Sequence, residues 1–169
     1  MKRIAQFEKV SFDQYANDML VNEAFKNIDK DTLMEIYNDI KLPKRATSGS
    51  AGYDFFLPLS VHIKTKDELL IPTGIRVRIT EGWVLSCYPR SGLGYKYKLG
   101  LANTVGIIDS DYYNALNEGH IILKFVNNGC EDVFLEKGKG VAQGVFTEYG
   151  ITIDDDVTKE RQGGFGSTN

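Results

Sequence analysis

The sequence predicts a mainly β protein, an antiparallel sandwich, jelly roll or barrel, fronted by a short helical extension. Three observations carry that expectation. From Pro43 onward apolar and polar residues alternate, as in Gly74-Ile75-Arg76-Val77-Arg78-Ile79, which is the period of a strand with one buried face. Turn chemistry recurs between the apolar runs, at Pro72-Thr73-Gly74, Asn127-Asn128-Gly129 and Gly138-Lys139-Gly140. There is no βαβ rhythm and no internal repeat, which disfavours a Rossmann-type sheet.

The elements follow in order. Ser11 and Gln14 have capping-box spacing, and Phe12, Tyr15 and Met19 fall at helical intervals. Thr32 and Glu35 repeat the capping signal. Leu33, Ile36, Tyr37 and Ile40 then form one helix face, which Pro43 ends. Two short helices are therefore expected in an extension spanning residues 1–41, joined by the polar stretch 27–30. A β core is expected over 42–150, with strands at Gly74 to Ile79, Trp83 to Tyr88, Ile121 to Val126, Val133 to Leu135 and Val141 to Phe146. Residues 151–169 read as a flexible arm. They open with the acidic run Asp154-Asp155-Asp156 and become Gly-rich from Arg161.

Composition narrows the class. The 169 residues are 42% hydrophobic and 25% charged, as in a folded domain rather than a disordered chain. A net charge of -3 lacks the field of a general nucleic-acid binder, so no direct nucleic-acid partner is expected. Cys87 and Cys130 form no CxxC, and His62 and His120 cannot supply a His-rich zinc site. Both facts suit a reducing cytosol. No apolar run approaches the roughly 20 residues of a membrane span, and no apolar signal core follows Met1-Lys2-Arg3. A cytoplasmic protein without a membrane partner is expected.

Four segments could carry chemistry. Pro89-Arg90-Ser91-Gly92-Leu93-Gly94 follows an expected strand. Its glycines allow close backbone approach and its Arg and Ser add donors, so it reads as a phosphate cradle or as an ordinary loop. In Asn103 to Tyr112 an apolar strand runs into Asp109, a general base or a turn residue. Ser50-Ala51-Gly52-Tyr53-Asp54 sets another carboxylate after small residues, and Gln143 sits in an apolar strand where it needs a partner if buried. The chain has no GxxxxGK[ST], GxSxG, HExxH or EF-hand pattern, so Walker-type and serine-triad chemistry lack support.

Taken together and in order, these segments and Gly163-Gly164-Phe165-Gly166-Ser167-Thr168 resemble the five motifs of the trimeric dUTP diphosphatases (dUTPases), over about residues 42–169. The resemblance implies a jelly-roll β-barrel and a homotrimer whose sites are shared between chains, the C-terminal arm closing over a neighbour. It implies hydrolysis of dUTP to dUMP and pyrophosphate with Mg²⁺ carried by the phosphates, which supplies dUMP and keeps uracil out of DNA. Asp109 would hold and deprotonate the attacking water. Tyr112 would pack on the deoxyribose and exclude a 2′-hydroxyl. Asn103, with Gly106, Ile107 and Ile108, would read the uracil edge. Arg90, Ser91, Gly92 and Gln143 would contact phosphates, and Arg161 the γ-phosphate. Phe165 would stack on uracil, and Gly166, Ser167 and Thr168 would bind substrate, the two hydroxyls donating to phosphate oxygens. Asp54 would reach the Mg²⁺ shell through water.

The chain departs from the family pattern at three places. Arg161 stands four residues before Phe165 rather than the commoner five. Gly140 occupies a position that is often basic, leaving Lys137 or Lys139 to supply that charge. The turn after Tyr112 is expanded through residues 113–118, which implies a longer hairpin loop. A dCTP deaminase of related fold is the competing enzyme reading, but no Glu stands beside Asp109. An added regulatory role of phage type would use a protein partner, with the extension and the loop 114–118 as candidate surfaces.

Overall fold

The computed structural model describes residues 2–159 together with Arg161 and Gly163. A strand the periodicity did not announce comes first. β1 (Ala5–Lys9) lies antiparallel on β6 (Ile75–Ile79), with Ala5 opposite Ile79 and Lys9 opposite Ile75. α1 (Phe12–Leu20) begins as its spacing predicts, Ser11 Oγ accepting the Gln14 N–H at 3.1 Å. α2 (Lys30–Asn38) begins earlier than the Thr32 signal placed it. Asp29 is its cap, accepting the Thr32 N–H at 2.9 Å and the Thr32 hydroxyl at 2.7 Å. A carboxylate at the positive end of a helix outcompetes a hydroxyl for that position.

The other strands are β2 (Lys44–Arg45), β3 (Tyr53–Phe56), β4 (Val61–Ile63), β5 (Glu68–Pro72), β7 (Trp83–Pro89), β8 (Leu99–Leu101), β9 (Gly106–Ile108), β10 (Ile122–Asn127), β11 (Val133–Leu135) and β12 (Gly140–Glu148). They form a five-stranded sheet ordered β2-β3-β12-β7-β9, a three-stranded sheet β5-β10-β8, and the pairs β1-β6 and β4-β11. Every pairing is antiparallel. In β6 the alternation is explicit: Ile75, Val77 and Ile79 are buried, while Arg76 and Arg78 are not.

Residues 91–97 correct the loop expectation. α3 (Ser91–Tyr97) starts directly after Arg90 and ends at Lys98, whose φ is +53°. Two glycines make this segment a poor helix former in isolation. Burial of Leu93 in the core supplies what propensity lacks.

Among the described residues, one hydrophobic core joins the extension to the strands. Phe55, Ile71, Leu85, Leu99 and Phe125 of the strands pack in it with Val10, Tyr15, Met19, Phe25, Leu33 and Ile40 of the extension. β12 runs to the sheet end with Glu148 opposite Trp83, the sole tryptophan, and the Tyr149 N–H donates to the Gly82 carbonyl at 3.0 Å. Beyond it Ile151, Ile153 and Val157 are exposed. Among the described residues no helix is long and apolar enough to cross a membrane.

Candidate active site

A cavity of about 470 Å³ opens beside β9, lined among others by Asn103, Gly106, Ile108, Asp109, Tyr112 and Leu123. That volume suits a nucleoside-sized ligand. Cys87 of β7 also lines it, and burial pushes its thiol up to about 12, so it stays neutral and acts as apolar wall. Asp109 stands where β9 ends, in the extended residue that leads into a 3₁₀ turn, Ser110–Asn114. The 3₁₀ turn replaces the first part of the expected hairpin loop. It directs the Asp109 carboxylate, about half exposed at 48%, to the cavity mouth.

Arg161 lies across that mouth. Its Nη2 donates to Asp109 at 2.6 Å and its Nε to Asp111 at 2.9 Å, and its guanidinium stands 5.6 Å from the Tyr112 ring centroid. Charge-assisted bonds of this length are strong when partly shielded from water. Arg161 thus rests on carboxylates of its own chain. Phe165, Gly166, Ser167 and Thr168 lie outside the described residues.

Tyr112 is buried and its hydroxyl is fully engaged. It donates to the His120 carbonyl at 2.9 Å and accepts from Asn117 Nδ2 at 2.9 Å. Burial holds its phenol above the usual tyrosine value. His120, wholly buried, accepts the Gly74 N–H on Nε2 at 2.7 Å. That bond leaves the proton on Nδ1, which donates to Asp18 of α1 at 2.5 Å. Nothing in the sequence marked His120 or Asp18. Their spacing fits no motif, and only the docking of α1 brings them together.

The expanded loop and the extension also meet. Glu118 accepts the Ser11 N–H at 2.7 Å and the Ser11 hydroxyl at 2.6 Å. The Tyr113 hydroxyl donates to Glu8 at 2.7 Å and accepts from Arg78 at 3.0 Å. The two surfaces that looked separately available in the sequence are packed on each other.

A second cluster forms on β3, β12 and the end of β7. Gln143 stands opposite Asp54 on one side and Tyr88 on the other. Arg90 Nη1 donates to Asp54 at 2.5 Å. A Cβ at position 140 would lie 3.2 Å from Arg90 Nη1, so glycine there makes room for the Arg90 guanidinium. Of the two lysines expected to replace the missing charge, Lys137 pairs instead with Asp39, at 2.6 Å. Ser91 and Gly92 occupy the first turn of α3 beside this cluster. The Asp54 and β9 groups are three strand steps apart in one sheet, about 14 Å at the usual strand spacing.

Among the described residues no three His, Cys, Asp or Glu side chains converge as a metal cage. A lone carboxylate such as Asp54 beside Arg90 fits an Mg²⁺ ion that keeps its waters and is carried by ligand phosphates.

A mainly β barrel with a nucleoside-sized slot, a carboxylate at its mouth and an Arg–Asp–Gln cluster on the same sheet belongs to the class of β-fold nucleotide hydrolases. The dUTPase family model matches residues 38–169, and the chain belongs to that family. The deoxyuridine 5′-triphosphate nucleotidohydrolase of Lactococcus lactis subsp. lactis is 44% identical over 132 residues, covering 76% of this chain and 88% of that protein. The enzyme of that name from Tolumonas auensis is 37% identical over 141 residues, covering 79% and 90%. The crystal structure of dUTPase from Streptococcus mutans superposes with a TM-score of 0.64 at 34% identity, over 86% of this chain and 97% of that one. A dUTPase from phage phi11 of S. aureus, with a structural Mg(II) ion, matches at a TM-score of 0.65 and 18% identity, which attests the fold. The expected jelly-roll barrel of dUTPase type with a short helical front is therefore the fold of this chain.

Proposed function

We propose that this chain hydrolyses dUTP to dUMP and pyrophosphate, using Asp109 as the base. The slot beside β9, with Asp109 at its mouth, carries this reading. Uracil presents an alternation of acceptors and a donor. The backbone of Gly106, Ile107 and Ile108, with the Asn103 amide, offers the complementary groups at the slot wall. Cytosine inverts part of that pattern and leaves buried groups unpaired, at about 1–3 kcal/mol each. Rejection of thymine in this reading comes from contact between its methyl group and the strand. The Tyr112 ring packs on the deoxyribose and leaves no room for a 2′-hydroxyl.

Chemistry proceeds from water. Asp109 takes a proton as the water oxygen bonds to the α-phosphorus. The bond from that phosphorus to the bridging oxygen breaks and pyrophosphate leaves with the electron pair. A placed base of this kind contributes roughly 10²–10⁴-fold. Arg161 is released from Asp109 by the denser charge of the triphosphate and pairs with the γ-phosphate, which frees the carboxylate to act. Arg90, Ser91, Gly92 and Gln143 hold the other phosphates, and Gly166, Ser167 and Thr168 with Phe165 complete the cover. Asp54 would hold Mg²⁺ through water, and the ion would supply neutralisation of the phosphate charge.

The distance between the Asp54 cluster and the Asp109 slot supports a site completed between copies, in a homotrimer. The physiological reading is supply of dUMP for thymidylate synthesis and protection of DNA from uracil. Pyrophosphate release with Mg²⁺ across dUTP, dTTP, dCTP and UTP tests it. Cleavage confined to dUTP is expected. Equal cleavage of UTP or dTTP, ammonia release from dCTP, or an untouched dUTP overturns it.

A further inference from the structure

Beyond the β1–β6 ladder, side chains of the extension reach the segment that follows Tyr112. We infer that residues 8–18 act as a clamp on that segment, with Asp18 and His120 as positioning residues that set sugar selectivity. The inference rests on the reading of Tyr112 as the deoxyribose platform and adds what holds the platform still.

Three links from the extension converge within residues 113–120. Glu8 accepts the Tyr113 hydroxyl at 2.7 Å, Ser11 donates twice to Glu118, and Asp18 accepts His120 Nδ1–H at 2.5 Å. The last link reaches the ring itself. His120 is held at both nitrogens, by Asp18 and by the Gly74 N–H, and its carbonyl accepts the Tyr112 hydroxyl. Asp18 is held in turn by Gln14 Nε2 at 2.8 Å. Gly119, at φ +70°, closes the segment so tightly that a Cβ there would stand 2.7 Å from the Tyr112 carbonyl oxygen. Arg76 and Arg78 cover the Tyr113 ring, at 4.5 and 4.8 Å from its centroid. The Tyr112 ring therefore has its hydroxyl end fixed by groups whose own positions depend on α1. Exclusion of a hydroxyl by contact needs the ring held to within a fraction of an ångström, and looser placement admits the larger sugar.

The test compares kcat/KM for dUTP and UTP in the full-length wild type, Asp18→Ala, Asp18→Asn and Glu118→Ala. Asp18→Ala is expected to lower the dUTP-to-UTP ratio by about 10- to 100-fold, the scale set by ångström-size misplacement, with KM for dUTP rising more than kcat falls. Asp18→Asn keeps an acceptor oxygen for His120 and is expected to retain the wild-type ratio. Glu118→Ala, at the more exposed link, folds independently of the buried pair and is expected to lower the ratio in the same direction. Unchanged ratios in folded Asp18→Ala or Glu118→Ala, or equal loss of kcat on both nucleotides, overturn the clamp alone. A wild type inactive on dUTP overturns the dUTP reading and the clamp with it.

Discussion

The proposed role of Asp109 comes from the motif around it, and at that position the structure has an extended backbone, a half-exposed carboxylate and a cavity beside it. Asp109→Asn keeps the shape and the hydrogen-bonding capacity but cannot take a proton. Turnover is expected to fall by at least the roughly 10²–10⁴-fold of a placed base, while a non-hydrolysable dUTP analogue still binds by calorimetry. Undiminished turnover removes the assignment. Glu118 shows the opposite kind of residue, invisible in sequence because its partner, Ser11, stands at the other end of the chain. Burial alone would raise its pKa, yet the two Ser11 bonds and Arg76 hold it below the usual carboxylate value. A depressed folded value means that its stabilisation is present above the unfolded pKa, about 4.3, and is lost as pH falls through the folded one. The gap in melting temperature between wild type and Glu118→Gln should therefore be open at neutral pH and close on acidification. A gap that widens in acid contradicts this.

At the scale of elements, strands were readable where one face is buried and the other wet. Ile75, Val77 and Ile79 against Arg76 and Arg78 make β6 plain. β1, Ala-Gln-Phe-Glu-Lys, pairs along all five residues with β6 yet has no fully buried residue, so its pattern was too weak to read. α3 was misread as a loop since its glycines argue against a helix, and only the burial of Leu93 overrides them. The α2 boundary slipped because Asp29 and Thr32 both carry capping chemistry and spacing alone does not rank them. The arm is the element whose role is most directly measurable. Deleting residues 161–169 removes the Arg161 contacts to Asp109 and Asp111, all at the cavity mouth. A sharp fall in kcat with an unchanged thermal midpoint is expected. An unchanged kcat excludes the arm from turnover.

For the whole molecule, the boundary near residue 41 marks a change of texture and not a separate core. Val10, Tyr15, Met19, Phe25, Leu33 and Ile40 are all buried among barrel residues. At about 1.5–3 kcal/mol for each large apolar side chain, their loss is comparable to the roughly 5–15 kcal/mol by which domains are ordinarily stable. Removal of residues 1–41 is therefore expected to abolish the cooperative unfolding transition seen by circular dichroism. A truncated barrel that melts in one step near the full-length midpoint defeats this expectation. Sequence texture could separate the helices from the strands, but which surfaces they share was settled by three-dimensional packing.

The lone tryptophan has a consequence of its own. Trp83 sits opposite Glu148, where the last strand hands over to the chain end, and the next backbone bond joins Tyr149 to Gly82. With a single indole in the protein, its fluorescence comes from this junction alone. The molecule carries a native optical gauge there, so nucleotides that shift the tail can be ranked by emission colour without attaching a dye.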